Sequence, residues 1–180
     1  MAHKLRDIEA GTFHVFTHCV WAVPTLYRDD IDRLEFLRHL ARVATKYLTC
    51  LSYCLMDSHY HLIVEVADGA LPRAMQALNH PYAIHHNRRH GLRGHVQFRR
   101  YGARRIKDEA DLLGTFAYVA NNPVEAGLCK APEDWPWSSY AGTVGLGELP
   151  SFVDPARVLA CFGWPATEPR GALRAFVANA

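Results

Sequence analysis

The chain has 180 residues, of which 49% are hydrophobic, 21% charged and 11% aromatic, and its formal net charge is +2. This balance is typical of a globular protein with a sizeable buried core, and it excludes disordered, collagen-like and coiled-coil chains. No apolar run approaches the roughly 18 residues needed to cross a bilayer, and the first residues lack the hydrophobic stretch of a secretory signal, so we expect a cytoplasmic protein with no membrane partner.

The hydrophobic pattern predicts seven elements in the order β-α-β-β-α-β-α. Short runs of β-branched and aromatic residues indicate strands, and apolar residues three or four positions apart indicate helices. The predicted strands are 11–21, 49–56, 59–66 and 95–106, and the predicted helices are 30–47, 71–89 and 108–121. We expect Pro81 to kink or break the second helix and Pro123 to stop the third. The first six elements are those of a ferredoxin-like split βαβ fold of the α+β class, an antiparallel sheet with helices on one face.

The composition changes after Gly142, where glycines and prolines are scattered among short apolar clusters. Within this part, Asp154-Pro155 resembles a helix N-cap followed by proline at the first helical position. The sequence therefore predicts one domain over residues 1–141 and a small C-terminal helical tail over residues 142–180.

Positive charge is concentrated in the middle of the chain. No acidic residue lies between Asp68 and Asp108. The same window contains nine basic residues: Arg73, Arg88, Arg89, Arg93, Arg99, Arg100, Arg104, Arg105 and Lys107. This pattern fits a nucleic-acid-binding surface if the fold gathers the side chains on one face, and it also fits a solvated, arginine-rich helix.

Two histidines at the start of the third predicted strand are candidate metal ligands. Because the side chains of a strand alternate with a period of two, His59 and His61 point to the same face and can hold one divalent ion. Polar surface or core histidines are the alternative interpretation. On the first strand, His14 and His18 could also approach such a site, although structural histidines are more common. The five cysteines contain no Cys-x-x-Cys pair, so no thiolate zinc site is suggested.

The last predicted helix of the sheet domain carries a polar stripe formed by Asp111, Thr115, Tyr118 and Asn122. A tyrosine in such a stripe is usually an edge-packing residue with its hydroxyl in water. Asn122 could present an amide oxygen beside it, although the following Pro123 should push the Asn122 backbone out of the helical region. Taken with the histidine pair, these groups fit metal-assisted phosphoryl transfer with a tyrosine nucleophile.

Three separated segments resemble a known family. Tyr53–Glu65 (YCLMDSHYHLIVE), Ala117–Leu128 (AYVANNPVEAGL) and Pro132–Tyr140 (PEDWPWSSY) are similar to the single-tyrosine HUH transposases. The nearest branch is the REP-associated tyrosine transposases, named for repetitive extragenic palindromes. The resemblance extends from about residue 12 to residue 140. It differs from the usual family pattern at Asp57-Ser58, where the family usually has Pro-Asn.

This resemblance implies a role for each candidate residue. His59 and His61 would be the HUH pair, Tyr118 the nucleophile, and Asn122 the residue that completes a Mg²⁺ or Mn²⁺ site. It also implies a ferredoxin-like fold and a single-stranded DNA substrate, often folded as a hairpin.

We therefore expect an enzyme that nicks and rejoins single-stranded DNA through a 5′-phosphotyrosine intermediate, acting as a monomer or homodimer. The candidate phosphate contacts are Arg88, Arg89, Arg99, Arg100, Arg104 and Arg105, and Tyr101 or Phe98 could stack on unpaired bases. Two alternatives stay open. One is a domesticated, catalytically silent protein that binds hairpin DNA, and the other is a hydrolase that uses water as the nucleophile.

Overall fold

A computed structural model describes residues 9–18, 25–92, 101–163 and 168–180 of the chain. Its strands are β1 Gly11–His18, β2 Thr49–Leu55, β3 His59–Val66 and β4 Gly102–Arg105. Its α-helices are α1 Asp30–Tyr47, α2 Ala70–His90, α3 Glu109–Glu125, α4 Tyr140–Thr143, α5 Ala156–Ala160 and α6 Pro169–Ala178. None of the helices in these described ranges is long and apolar enough to cross a bilayer.

The four strands form one antiparallel sheet in the order β2-β3-β1-β4. This order places the first and third strands at the centre, as a ferredoxin-like split βαβ fold requires. The predicted α+β class is therefore confirmed. The predicted first and fourth strands also included residues 19–21 and 95–100, which lie outside the described residues.

Both faces of the sheet are buried. Alternation along β3 sends Tyr60 into one core, where it meets Phe36 of α1 and Tyr82 of α2. Ile63, on the opposite face, packs in a second core with Phe116 of α3. The sequence predicted helices on one face of the sheet. In the structure α1 and α2 cover one face, and α3 and the C-terminal helices cover the other.

The two prolines predicted to interrupt helices lie inside them. α2 continues from Ala70 to His90 with Pro81 in its interior, and α3 continues two residues beyond Pro123. In α2 the buried residues before Pro81 lie on one side of the helix, and Tyr82, after the proline, lies on the same side. Packing of this side against α1 keeps the helix continuous. In α3 the ring of Pro123 is buried. The Ala126 N–H donates a hydrogen bond to Asn122 O at 3.0 Å, which completes the last turn of the helix. Tertiary packing therefore outweighs the local cost of a missing backbone donor.

The residues after Gly142 pack directly on α3. Val158 of α5 and Leu173 of α6 belong to the same buried cluster as Phe116. The Asn121 side-chain amide also donates a hydrogen bond to Val177 O at 3.0 Å. The C-terminal segment therefore completes the core beneath α3, and the division into residues 1–141 and 142–180 stays a prediction.

Asp29 caps the N-terminus of α1. Its Oδ1 accepts hydrogen bonds from the backbone N–H groups of Ile31 at 3.0 Å and Asp32 at 3.2 Å. Its Oδ2 lies 2.6 Å from Arg89 NH2 of α2. The hydrogen bond from Arg89, together with the backbone donors, lowers the pKa of Asp29 to about 2. One carboxylate thus closes the start of α1 and joins it to the end of α2.

Replacing Asp29 with Ala is expected to lower the free energy of unfolding by about 1 kcal/mol, because the cap hydrogen bonds are lost. Asp29→Asn keeps a capping oxygen and should lose less in a urea titration at pH 7. Since the folded pKa of Asp29 is depressed, its charge contributes stability above pH 4 that is lost as the pH falls towards 2. The wild-type protein should therefore lose more stability than Asp29→Asn over that range, and equal acid sensitivity would contradict this assignment.

Candidate functional site

The start of β3 presents two imidazoles on the face covered by α3. The rings of His59 and His61 are 4.9 Å apart between centroids and nearly perpendicular. His61 is buried, whereas His59 is half-buried at the first position of the strand. Tyr60, between them, points through the sheet to the opposite core, as the period of two predicts.

Asn122 of α3 meets this pair. Its Oδ1 lies 3.2 Å from His59 Nε2, and the side chain is buried. The expectation that Pro123 would push the Asn122 backbone out of the helix is wrong, since α3 runs through both residues. The steric effect of proline on the preceding residue is a preference, and the buried ring of Pro123 overrides it here. The helical backbone of α3 at Asn122 therefore directs its side-chain amide towards His59.

Tyr118 lies one turn before Asn122 on the same side of α3. Its ring is 5.4 Å from the His61 ring between centroids, in an edge-on arrangement. Its neighbours Ala117 and Val119 are buried, whereas Tyr118 is 46% exposed. The phenol thus stands beside the histidine pair on a surface that a large ligand can reach.

A third histidine supports the pair. His14 of β1 places its Nε2 2.9 Å from His61 Nδ1, and the two rings are stacked. Burial, with a further contribution from the positive charge of Arg104, lowers the pKa of His14 to about 4, so the ring is neutral at pH 7. A neutral imidazole can share one hydrogen with His61 without adding charge to the site. Hydrogen bonds of this kind orient ligating histidines.

The two Nδ1 atoms of the pair are both engaged in hydrogen bonds. Ser58 Oγ lies 3.1 Å from His59 Nδ1, in addition to the contact between His14 and His61 Nδ1. The Nε2 atoms are therefore the ring nitrogens suited to metal binding. Two imidazoles and an amide oxygen form a donor set that fits a divalent cation, because nitrogen and neutral oxygen ligands meet at one place.

An open cleft of about 390 Å³ lies next to Tyr118. The residues that line it are His14, Arg104, Asp111, Gly114, Thr115 and Tyr118. Arg104 of β4 donates to Asp111 Oδ1 at 2.7 Å and to Thr115 Oγ1 at 2.5 Å. The guanidinium is half-exposed, so α3 holds a positive charge in place beside the tyrosine.

The other predicted phosphate contacts lie elsewhere or carry other bonds. Arg105 donates to the Ala10 carbonyl at 2.7 Å, and Arg89 is bound by Asp29 and Asp32 at the start of α1. Arg88 is exposed near the end of α2. Arg99, Arg100 and Phe98 lie outside the described residues, and Tyr101 packs against the core between the sheet and α1 and α2. Of the six predicted arginines, Arg104 is therefore the one described at the cleft.

The polar stripe on α3 predicted that Tyr118 and Asn122 lie on the same side of the helix. The sequence did not favour His14 as part of the site. The period of two places His14 on one face of β1, but the strand register decides what it meets there. In the structure Phe16 pairs with His61 and His14 pairs with Ile63, which brings the two imidazoles onto the same sheet face. A covariation of positions 14 and 61 is the signal that could have found this pair.

Comparisons with known proteins agree with the motifs. No family model matches the chain. A protein of Haemophilus influenzae named "Putative REP-associated tyrosine transposase" is 23% identical over 158 residues, which cover 78% of this chain and 86% of that protein. A solved REP-associated tyrosine transposase, bound to a REP hairpin, shares the fold with a TM-score of 0.63 at 20% identity, over 83% of this chain and 88% of that one. Sequence and fold thus confirm the similarity to REP-associated tyrosine transposases that the three motifs predicted.

Proposed function

We propose that this protein nicks and rejoins single-stranded DNA by transesterification, with Tyr118 as the nucleophile. The observation that carries the proposal is the meeting of Tyr118 with His61 and of Asn122 with His59. A phenol, two imidazoles and an amide from two separate elements meet at one place, where Tyr118 is exposed while His61 and Asn122 are buried. A packing role alone does not require this set of groups.

The chemistry assigned to Tyr118 is an in-line attack on a phosphodiester. The phenol oxygen forms a bond to phosphorus, the bond from phosphorus to the 3′ oxygen breaks, and the phenol proton is lost while the departing 3′ oxygen gains one. The products are a 5′-phosphotyrosine and a free 3′-hydroxyl. Because the number of phosphoester bonds is unchanged, the reverse attack by a 3′-hydroxyl can rejoin DNA without an external energy source.

His59, His61 and Asn122 are the residues that would hold a Mg²⁺ or Mn²⁺ ion. Such an ion supplies Lewis-acid stabilisation of the charge that develops on the phosphate oxygens. Ser58 and His14 keep the two imidazoles oriented through their Nδ1 atoms. The donor set is thereby preorganised, and its assembly requires little rearrangement of side chains.

Arg104 is the residue we assign to the phosphate backbone at the cleft. Its guanidinium is fixed by Asp111 and Thr115 beside Tyr118, and its half-exposed position allows contact with a strand entering from solvent. Arg88, Arg89, Arg99, Arg100 and Arg105 stay predicted DNA contacts. The solved relative is bound to a REP hairpin, which supports hairpin-forming repeat DNA as the substrate class.

The proposal is tested with a 3′-labelled single-stranded hairpin oligonucleotide. The fragment that stays on the tyrosine retains the label, so covalent protein appears as a labelled band under denaturing conditions. We expect the band with Mg²⁺ or Mn²⁺ and its loss with a chelator. His59→Ala should reduce its rate of formation by at least about 100-fold, because a half-buried ligand is removed without opening the core. His80→Ala, on the exposed side of α2, is the matched control and should react normally.

His61→Ala should give the same loss of reaction, with an additional loss of stability because His61 is buried. The silent DNA-binding alternative predicts salt-dependent binding of the oligonucleotide without any covalent band. The hydrolase alternative predicts cleaved DNA without labelled protein. Equal reaction rates in the wild type, His59→Ala and His61→Ala would remove the metal site from the proposal.

A further inference from the structure

A second group of metal-ligating side chains lies between α1 and α2, on the side of the sheet opposite the histidine pair. It consists of Asp32 in the first turn of α1 and of His86 and His90 in the last turns of α2. One ligand atom from each of the three residues lies within 4.8 Å of the others. His86 and His90 are four positions apart, so helical geometry places both on the same face of α2.

His86 is the unusual member of this group. Its side chain is fully buried, and neither ring nitrogen has a hydrogen-bond partner among the described residues. A polar group buried without a partner destabilises a protein, and buried imidazoles are therefore almost always bonded. Burial also lowers the pKa of His86, which keeps the ring in its neutral, ligating form. A bound cation would supply the missing partner.

Asp32 is already oriented as a ligating carboxylate would be. Its Oδ1 accepts from Arg89 NH1 at 2.7 Å, and its Oδ2 accepts from the Arg28 backbone N–H at 2.9 Å. Burial acts to raise the pKa of Asp32, but these hydrogen bonds, with that from His90, lower it below its ordinary value. The carboxylate is thus ionised and held by outer hydrogen bonds, which is the usual environment of a metal-binding carboxylate.

His85 Nε2 lies 3.6 Å from Asp32 Oδ1, and the shorter histidine contact joins His90 Nε2 to Asp32 Oδ2 at 2.8 Å. A cation that entered the cluster would replace the hydrogen shared by these two atoms, and His90 would then carry its proton on Nδ1. Arg89 also pairs with Asp29, so its guanidinium keeps a separate counter-ion when Asp32 binds a cation.

We propose that Asp32, His86 and His90 form a structural site for a transition-metal cation of the Zn²⁺ type, which joins the start of α1 to the end of α2. Two imidazoles and one carboxylate are ligands that Zn²⁺ accepts, and the remaining position can be filled by water. The site is separate from the His59–His61 pair, which faces α3 across the sheet.

The experiment is a titration of the whole metal-free protein with Co²⁺, followed by its visible absorption and by displacement with Zn²⁺. Co²⁺ in a low-symmetry nitrogen and oxygen site gives bands that report the ligands directly. We expect one equivalent to bind in His59→Ala, which lacks a ligand of the other candidate site, and the same bands to appear in the wild type and in the control His80→Ala. Adding His90→Gln to His59→Ala should abolish the bands, because it removes an imidazole that is only 10% exposed without emptying the core.

Stability gives a second readout. A Zn²⁺ concentration 100-fold above its dissociation constant should raise the unfolding midpoint of the wild type and of His59→Ala by about 5 to 10 °C. The same addition should leave the midpoint unchanged when His90→Gln or His86→Gln is combined with His59→Ala. Bands and a midpoint shift that persist in His90→Gln and disappear in His59→Ala would assign the ion to the other site and overturn the proposal. A wild type that takes up no Co²⁺ or Zn²⁺ would overturn it as well.

Discussion

Replacing Tyr118 with Phe is expected to abolish the covalent protein–DNA adduct, with a fall in its rate of formation of about 10⁴-fold or more. The reason is chemical, because the variant lacks the oxygen that attacks phosphorus, and Tyr118 is the tyrosine among the residues that line the cleft. The fold should be unaffected, since the ring of Tyr118 is 46% exposed and phenylalanine retains its shape. The measurement is the labelled band formed with the 3′-labelled hairpin oligonucleotide in Mg²⁺ or Mn²⁺.

Two controls test whether the loss of the adduct is specific to the hydroxyl of Tyr118. Tyr47→Phe changes a tyrosine at the end of α1, far along the chain from the cleft, and should form the adduct at the wild-type rate. Binding of the oligonucleotide to Tyr118→Phe should stay within a few-fold of the wild type, because phosphate contacts dominate affinity. An adduct that forms equally well in Tyr118→Phe would show that another residue is the nucleophile.

Replacing Phe36 with Ala is expected to lower the free energy of unfolding by about 3 to 5 kcal/mol. Phe36 of α1 is fully buried, and its ring lies 4.9 Å from that of Tyr60 on β3 and 5.2 Å from that of Tyr82 on α2. Removing it leaves a cavity where the two helices and the sheet meet, and rigid aromatic neighbours fill such a space poorly. Urea unfolding followed by circular dichroism measures the loss.

The matched control is Leu34→Ala in the same helix. Leu34 is 59% exposed, so this substitution removes a comparable apolar side chain without opening the core. We expect it to change the free energy of unfolding by less than about 1 kcal/mol. Similar losses in the two variants would mean that helix propensity, and not the aromatic cluster, controls the stability of α1.

The sequence predicted some elements to the residue and others only in part, for physical reasons. The boundaries predicted for α1 and β3 agree with the structure. In both segments the spacing of the apolar residues and the positions of the polar residues indicate the same limits. A break at Pro81 and a stop at Pro123 did not occur, because a local rule ignores what the rest of the helix packs against. Tertiary burial of a long apolar stripe is stronger than the loss of one backbone donor.

The candidate site shows the same limit. The alternation of β3 and the stripe of α3 placed His59, His61, Tyr118 and Asn122 on the correct faces, since both patterns are local. The partnership of His14 with His61 depends on strand register, and the binding of Arg89 by Asp29 and Asp32 depends on how α1 and α2 cross. Such long-range pairings cannot be obtained from spacing along the chain.

If the protein acts as proposed, the packing of the C-terminal helices on α3 has a consequence for the order of events in strand exchange. Phe116 and Ala120 anchor α3 in the core, and Asn121 is bonded to the end of α6. Under the proposed function, a tyrosine on a helix anchored in this way would stay in place during the reaction and would not carry an attached DNA end to a distant acceptor. The first 3′ end would then leave the cleft before a new 3′ end enters it to attack the phosphotyrosine.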